Sequence, residues 1–341
     1  MNHLRDLLSK ARIRHLYFDR AIRAAVSQIT FAPPGTVIAI VGPTRVGKST
    51  AIREAARQVY PGKQKTSIPY VIVDCSRTDA GFTSTRYLTL DLLTQLEHPL
   101  YVDASSRLRL SLTETNARLQ LRRAITYRDT KLIIIDEAHH LLRMKNSAGR
   151  EAALESLKCL GNETGALIVL VGGYELLKGC FTSAHFNGRL TLLEFPRYGA
   201  SEADQGQFNA ILASLDAMLP WASGHSLLRM RDLIYKGSQG SCGLITNWIL
   251  AALGNMTAGG CTRLRQEHFK AVRFTQQLEA IASEIEYGES LLVPIEGTDC
   301  KTLAGIVDQN EAVANRSPKR RTRPGRRNPK RDSREPLKVA G

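Results

Sequence analysis

The chain has 341 residues, 43% of them apolar, enough to bury a sizeable core in one large domain or two ordinary ones. No apolar run approaches the ~20 residues that span a bilayer, and the opening "MNHLRDLLSKARIRHLYFDR" is charged throughout with no signal-peptide core; the expectation is a cytoplasmic, nucleoid-associated protein with no membrane partner. The net charge is +15, and Arg316 to Lys338 alone holds eleven Lys/Arg against two Asp/Glu, or +9, an excess that favours polyanions and most often nucleic acid.

Helical spacing runs from about Arg5 to Ile29 and is broken by "FAPPG" at Phe31–Gly35. A β-rich run, "TVIAIV", comes next, and four similar runs come after it: Tyr70–Asp74, Lys131–Asp136, Ala166–Gly172 and Leu190–Phe195. They are apolar on both faces and separated by helix-length stretches, the pattern of a buried parallel sheet in an α/β domain. Between the second and third runs, "SLTETNARLQLRRAITYR" predicts a helix capped near Thr113 and Glu114, with its arginines outward. After Phe195 the strands stop. Residues 201–287 read as helices only, broken at "LPWASGHS" and "GSQGSCG". The six cysteines (Cys75, Cys159, Cys180, Cys242, Cys261 and Cys300) show no metal spacing and read as buried thiols. The expected organisation is a helical segment over 1–30, an α/β core over 31–200, a helical lid over 201–288, and an extension over 289–341 that ends in a disordered Pro-, Arg- and Lys-rich tail.

Two motifs carry the chemistry. Gly42-Pro43-Thr44-Arg45-Val46-Gly47-Lys48-Ser49 fits GxxxxGK[ST], succeeds an apolar strand and precedes the helical stretch "STAIREAARQVY". In that context backbone N–H groups from Gly42 to Thr50 and the helix N-terminus surround phosphates, Lys48 reaches the β- and γ-phosphates, and Ser49 ligates Mg²⁺. The second motif, "LIIIDEAHHL", carries Asp136 to a strand tip as the other Mg²⁺ partner and sets Glu137 beside it to polarise the attacking water. ATP and Mg²⁺ are therefore the expected cofactors, and Glu137 and Lys48 the expected catalytic residues. His139 and His140, adjacent on a helical turn, should point different ways and read as structural. "DEAH" also marks a helicase group, but no QxxGRxGR-type motif comes after Phe195.

Five strands, these two motifs and a helical lid resemble an AAA+ ATPase. The stretches "LESLKCLGNETGALIVLVGGYELL" (Leu154–Leu177) and "NGRLTLLEFPRY" (Asn187–Tyr198) resemble more narrowly the TnsC/TniB family of transposition regulators, over about residues 10–250. That resemblance implies Arg189 as a finger reaching a neighbour's ATP, with Arg197 as its rival. It also implies a homo-oligomeric ring or helical filament on double-stranded DNA, linking a TniQ-like target-selection protein to a DDE transposase. The chain departs from the family pattern at Gly173, where a sensor threonine is expected, and at Leu244, where many relatives carry a sensor arginine; slow, switch-like hydrolysis would result. Tyr17 and Phe18 stand where adenine is often contacted, and packing accounts for them as well. Arg107, Arg109, Lys145 and Arg150 are the candidate DNA contacts, binding phosphates rather than bases. The basic tail fits either DNA or a transposase. The alternative is another DNA-associated AAA+ ATPase, of the origin- or helicase-loader type.

Overall fold

The computed structural model describes residues 14–62, 66–75, 84–101, 113–143, 147–181, 184–273 and 275–292. Five strands form one parallel sheet: β1 (Val37–Val41), β2 (Tyr70–Asp74), β3 (Leu132–Asp136), β4 (Leu167–Val171) and β5 (Leu190–Glu194), in the order β2-β3-β4-β1-β5. All five coincide with the apolar runs of the sequence. The three central strands are buried along their whole length, which is why they lack polar alternation.

Successive side chains of a strand point to opposite faces, and the core divides accordingly. On one face Val37, Ala39, Ile133, Ile135, Ile168 and Leu170 pack against α3 (Thr85–Gln95), α4 (Glu114–Tyr127), α5 (Ser147–Thr164) and α6 (Glu175–Cys180). On the other, Ile38, Ile40, Ile134, Val169 and Val171 meet α1 (Leu16–Phe31) and α2 (Lys48–Val59). Helix α1 buries Phe18, Ile22, Ala25 and Ile29 at helical spacing. Helix α2 answers with Ala51, Ala55 and Ala56, whose small side chains let the helices approach closely. Truncating Ile134, fully buried, to Ala should cost about 2–5 kcal/mol.

Thr113 caps α4, its Oγ1 accepting from Asn116 N at 3.3 Å. The arginines of α4 do not all face outward, however. Arg118 turns inward and donates to the Ser156 hydroxyl and carbonyl on α5, where two acceptors offset its desolvation. The cysteines also differ from expectation: Cys75 and Cys180 are buried, but Cys159 is exposed, because it falls on the outer face of α5.

The short α7 (Ala184–Asn187) leads into β5. Beyond β5 the described residues are helical: α8 (Glu202–Asp216), α9 (Arg231–Ser238), α10 (Cys242–Ala258), α11 (Gln266–Lys270) and α12 (Thr275–Ser290). Ser201 caps α8, accepting from Asp204 N at 3.2 Å. Trp248 on α10 centres this region, donating from Nε1 to Phe269 O at 2.9 Å. The region is tied to the sheet side. Gly243 N donates to Arg45 O at 2.9 Å, and Tyr198 N to Gly240 O at 3.1 Å. Tyr17 stacks on Tyr198 with centroids 4.7 Å apart. Helix α12 runs through residues 288 and 289 and packs back toward the core, and the described residues cluster as one compact unit. The basic tail lies outside the described residues.

Candidate nucleotide site

The cleft lies at the C-terminal tips of the strands, where an open parallel sheet offers a crevice. It is about 700 Å³ in volume and takes in Thr44, Arg45, Gly47, Lys48, Ser49 and Thr50 from the loop, Asp136 and Glu137 from the end of β3, Gly172 and Gly173 after β4, and Glu175 and Glu284.

The loop after β1 turns into α2 at Gly47, whose φ of +103° places it in the left-handed region that glycine adopts without strain. Gly42 has no room for a side chain, because the Phe195 carbonyl presses on it. Val46 does not face the cleft. It is buried against α1 and β1 and anchors the loop from behind. Lys48 Nζ donates to the Gly42 and Pro43 carbonyls at 2.9 and 2.6 Å, so the loop's own backbone positions the ammonium. Burial pushes the Lys48 pKa down to about 8, against the upward pull of Glu137, Glu284 and Asp136.

Ser49 Oγ donates to Asp136 Oδ1 at 3.0 Å. The pairing of the strands places Asp136 level with Asp74, one strand over. The second carboxylate oxygen of Asp136 faces Arg53 Nη2 at 3.5 Å, which also stands 3.6 Å from Asp74. Ser49 and Asp136 are oxygen donors suited to a hard divalent cation, so these residues fit Mg²⁺. Glu137 has φ of +52°, an uncommon backbone state for a side-chain-bearing residue, and its N–H donates to Asp136 Oδ1 at 3.0 Å. Its side chain remains 56% exposed, so water reaches the carboxylate.

His139 and His140 do not diverge. Side-chain rotation brings their rings together, with centroids 4.2 Å apart, and His139 Nδ1 leans on Glu137 Oε2 at 3.3 Å.

Arg189 lies away from this chain's own cleft. It is at the N-terminal end of β5, where its carbonyl accepts from Val37 N at 3.1 Å and its Nη1 donates to Asn162 Oδ1 at 2.5 Å. Arg197 is engaged within the chain: Nε and Nη2 grip the two Glu289 oxygens at 2.7 and 3.0 Å. Leu244 is buried in the first turn of α10 and does not line the cleft. Gly173 does line it. Tyr17 and Phe18 pack with Tyr198 and Phe195. Arg107, Arg109 and Lys145 lie outside the described residues, and Arg150 is placed only as a residue of α5.

Sequence reasoning missed three charged members of this region. Arg53 comes four residues after Ser49, one helical turn, so its position facing Asp136 was legible from spacing. Glu175 comes four residues after the β4 tip. Glu284, more than a hundred residues further on, carries no motif. Its carboxyl pKa is raised, chiefly by burial and also by Glu175, while Lys48 lowers it.

Residues 34–178 match the family described as AAA domain. No curated protein matches the chain. Among solved structures it is similar to the ORC2 protein of Aeropyrum pernix. The ADP form aligns at 14% identity over 80% of this chain and 69% of that one, with a TM-score of 0.51. The ADPNP–ADP complexes align at 16% over 84% and 72%, also at 0.51. At such identities the likeness is one of fold. No helix among the described residues is long and apolar enough to cross a membrane. Strand order, phosphate loop and family match agree: this is the α/β fold of an AAA+ P-loop ATPase.

Proposed function

We propose that the protein is an ATP-hydrolysing switch that oligomerises on double-stranded DNA and links a target-selection protein to a DDE transposase. The observation that carries the ATPase reading is the convergence of Lys48, Ser49, Asp136 and Glu137 on one cleft. Bound ATP·Mg²⁺ supplies the phosphoanhydride and the charge neutralisation of its phosphates. The loop N–H groups and Lys48 hold the phosphates, Ser49 and Asp136 hold the cation, and Arg53 fixes the Asp136 carboxylate. Glu137, braced by His139 and open to solvent, accepts the proton of the attacking water.

Arg189 lies at the far end of the sheet from the cleft, so any contact it makes with a nucleotide is with a neighbour's. This supports assembly of several copies with ATP between them. The +9 charge of the tail supports a polyanionic partner. The transposition role rests on the resemblance of Leu154–Leu177 and Asn187–Tyr198 to the TnsC/TniB stretches. The second reading, an origin-loading type of ATPase, is favoured by the fold likeness to an archaeal ORC2 protein.

The test is assembly on a duplex of arbitrary sequence with a slowly hydrolysed ATP analogue, and then pull-down of a purified DDE transposase. Salt-sensitive, sequence-tolerant assembly that captures the transposase supports the first reading. Binding confined to one short sequence, without transposase capture, favours the second.

A further inference from the structure

The cleft has a wall that no nucleotide-binding motif supplies. Helix α12 brings Glu284 to it, opposite the phosphate loop. Glu284 lies beside Gly173: a Cβ there would come within 3.2 Å of Glu284 Oε1. A larger side chain at 173 would therefore crowd the carboxylate of 284.

The helix is held down by specific contacts. Gly288 lies so close against the Tyr174 ring that no side chain fits. Glu289 makes its two-oxygen contact with Arg197. Lys178 Nζ stands 4.6 Å from the centre of the Tyr287 ring, and Ile285 is buried. Tyr174, itself fully buried, donates to Glu194 Oε1 at 2.8 Å, which fixes the surface that α12 rests on.

The electrostatics of this wall oppose those of the loop. Glu284 and Glu175 stand on the side of the β4 tip, with Asp136 and Glu137 beside them, and Lys48, together with Arg45, brings positive charge to the cleft from the loop. In a phosphate loop the Lys contacts the β- and γ-phosphates, and the terminal phosphate lies toward the tips of the strands adjoining the loop. That is the side occupied by Glu284. With its terminal phosphate on that side, a triphosphate would bring more negative charge toward this carboxylate than a diphosphate would.

On the reading of this cleft as an ATP site, we propose that Glu284 is a specificity-determining residue: with α12 docked it disfavours a terminal phosphate, so the site accepts a diphosphate more readily, and a triphosphate is accepted as α12 withdraws. The bound nucleotide is thereby coupled to the position of the helix that leads into the C-terminal extension.

The experiment compares Mg·ADP with a slowly hydrolysed Mg·ATP analogue by calorimetry on the full-length chain and its Glu284→Gln variant. Glu284→Gln is expected to tighten the triphosphate on the order of tenfold while ADP affinity changes little. Glu284→Asp, which keeps the charge but shortens its reach, should fall between. Hydrogen exchange over residues 275–290 should rise with the triphosphate and not with ADP in the wild type, and the difference should shrink in Glu284→Gln. An unchanged triphosphate-to-diphosphate ratio in Glu284→Gln would overturn the proposal. So would weaker triphosphate binding, which would make Glu284 a ligand rather than a barrier. Failure of both proteins to bind either nucleotide would instead overturn the ATP-site reading itself, and this proposal with it.

Discussion

The two walls of the cleft are built on different principles. The loop wall comes from one contiguous stretch, Gly42 to Thr50, and presents N–H groups and Lys48. The facing wall joins Gly172, Gly173 and Glu175 to Glu284 on α12, residues far apart in sequence. The first is cationic and arises from local chemistry; the second is anionic and exists only because α12 docks there. On the function proposed above, phosphate affinity resides in one wall and discrimination among phosphates in the other.

The sharpest break in that comparison is Lys48→Ala. It removes the loop wall's ammonium, and nucleotide affinity is expected to fall about a hundredfold or more, since hydrogen bonds to charged groups contribute most. ATP-dependent assembly on DNA should vanish with it. Equilibrium binding of a fluorescent nucleotide reads the effect, and retained binding would remove the loop from the nucleotide site.

Glu137→Gln should leave binding intact and lower turnover by about two orders of magnitude, the usual scale for a general base. Phosphate release under saturating ATP measures it. Equal turnover in variant and wild type would show that water is activated elsewhere.

The pH dependence of binding separates the walls without mutation. Burial holds Lys48 near a pKa of about 8 in the free protein, and bound phosphate raises that value. The contribution of the Lys48 charge to binding is then fully present below pH 8. It is lost as pH rises from 8 through the higher, phosphate-bound pKa. Affinity should fall by at most about tenfold per pH unit over that window, with uptake of a proton on binding. Affinity that stays flat from about pH 7 to 9.5 would mean that Lys48 does not titrate there.

The smallest effect expected is from Gly173→Thr, which crowds the carboxylate of Glu284, whose Oε1 lies 3.2 Å from where the new Cβ would be. It should tighten the triphosphate a few-fold, roughly half the effect of Glu284→Gln in free energy, because displacing a charge leaves it nearby. Weaker triphosphate binding in this variant would show that open space at 173 serves the nucleotide rather than the carboxylate.

The legible part of the molecule is that in which local pattern and final environment coincide. Buried strands such as "KLIIID" have no polar face to hide, and the glycines and lysine of the phosphate loop are demanded by backbone geometry and phosphate charge wherever they occur. The same logic held for Thr113 as the cap of α4, since a cap bonds within its own turn. It failed for Arg118, whose partners sit on another helix, and for His139 and His140, where spacing gives the direction of Cβ but not the rotamer.

By itself, then, the sequence determined five apolar strands, three of them buried along their whole length, the placement of Lys48, Ser49, Asp136 and Glu137 at the strand tips, and the helical character of the region beyond β5. These depend on interactions within a few residues or on the uniform apolar interior of a parallel sheet. Only the tertiary structure decided the long-range contacts around that motif: Arg197 clamped to Glu289, and Glu284 in the cleft beside Gly173. Those contacts join segments whose relative placement is fixed by packing, and packing is a property of the whole compact unit rather than of any stretch within it.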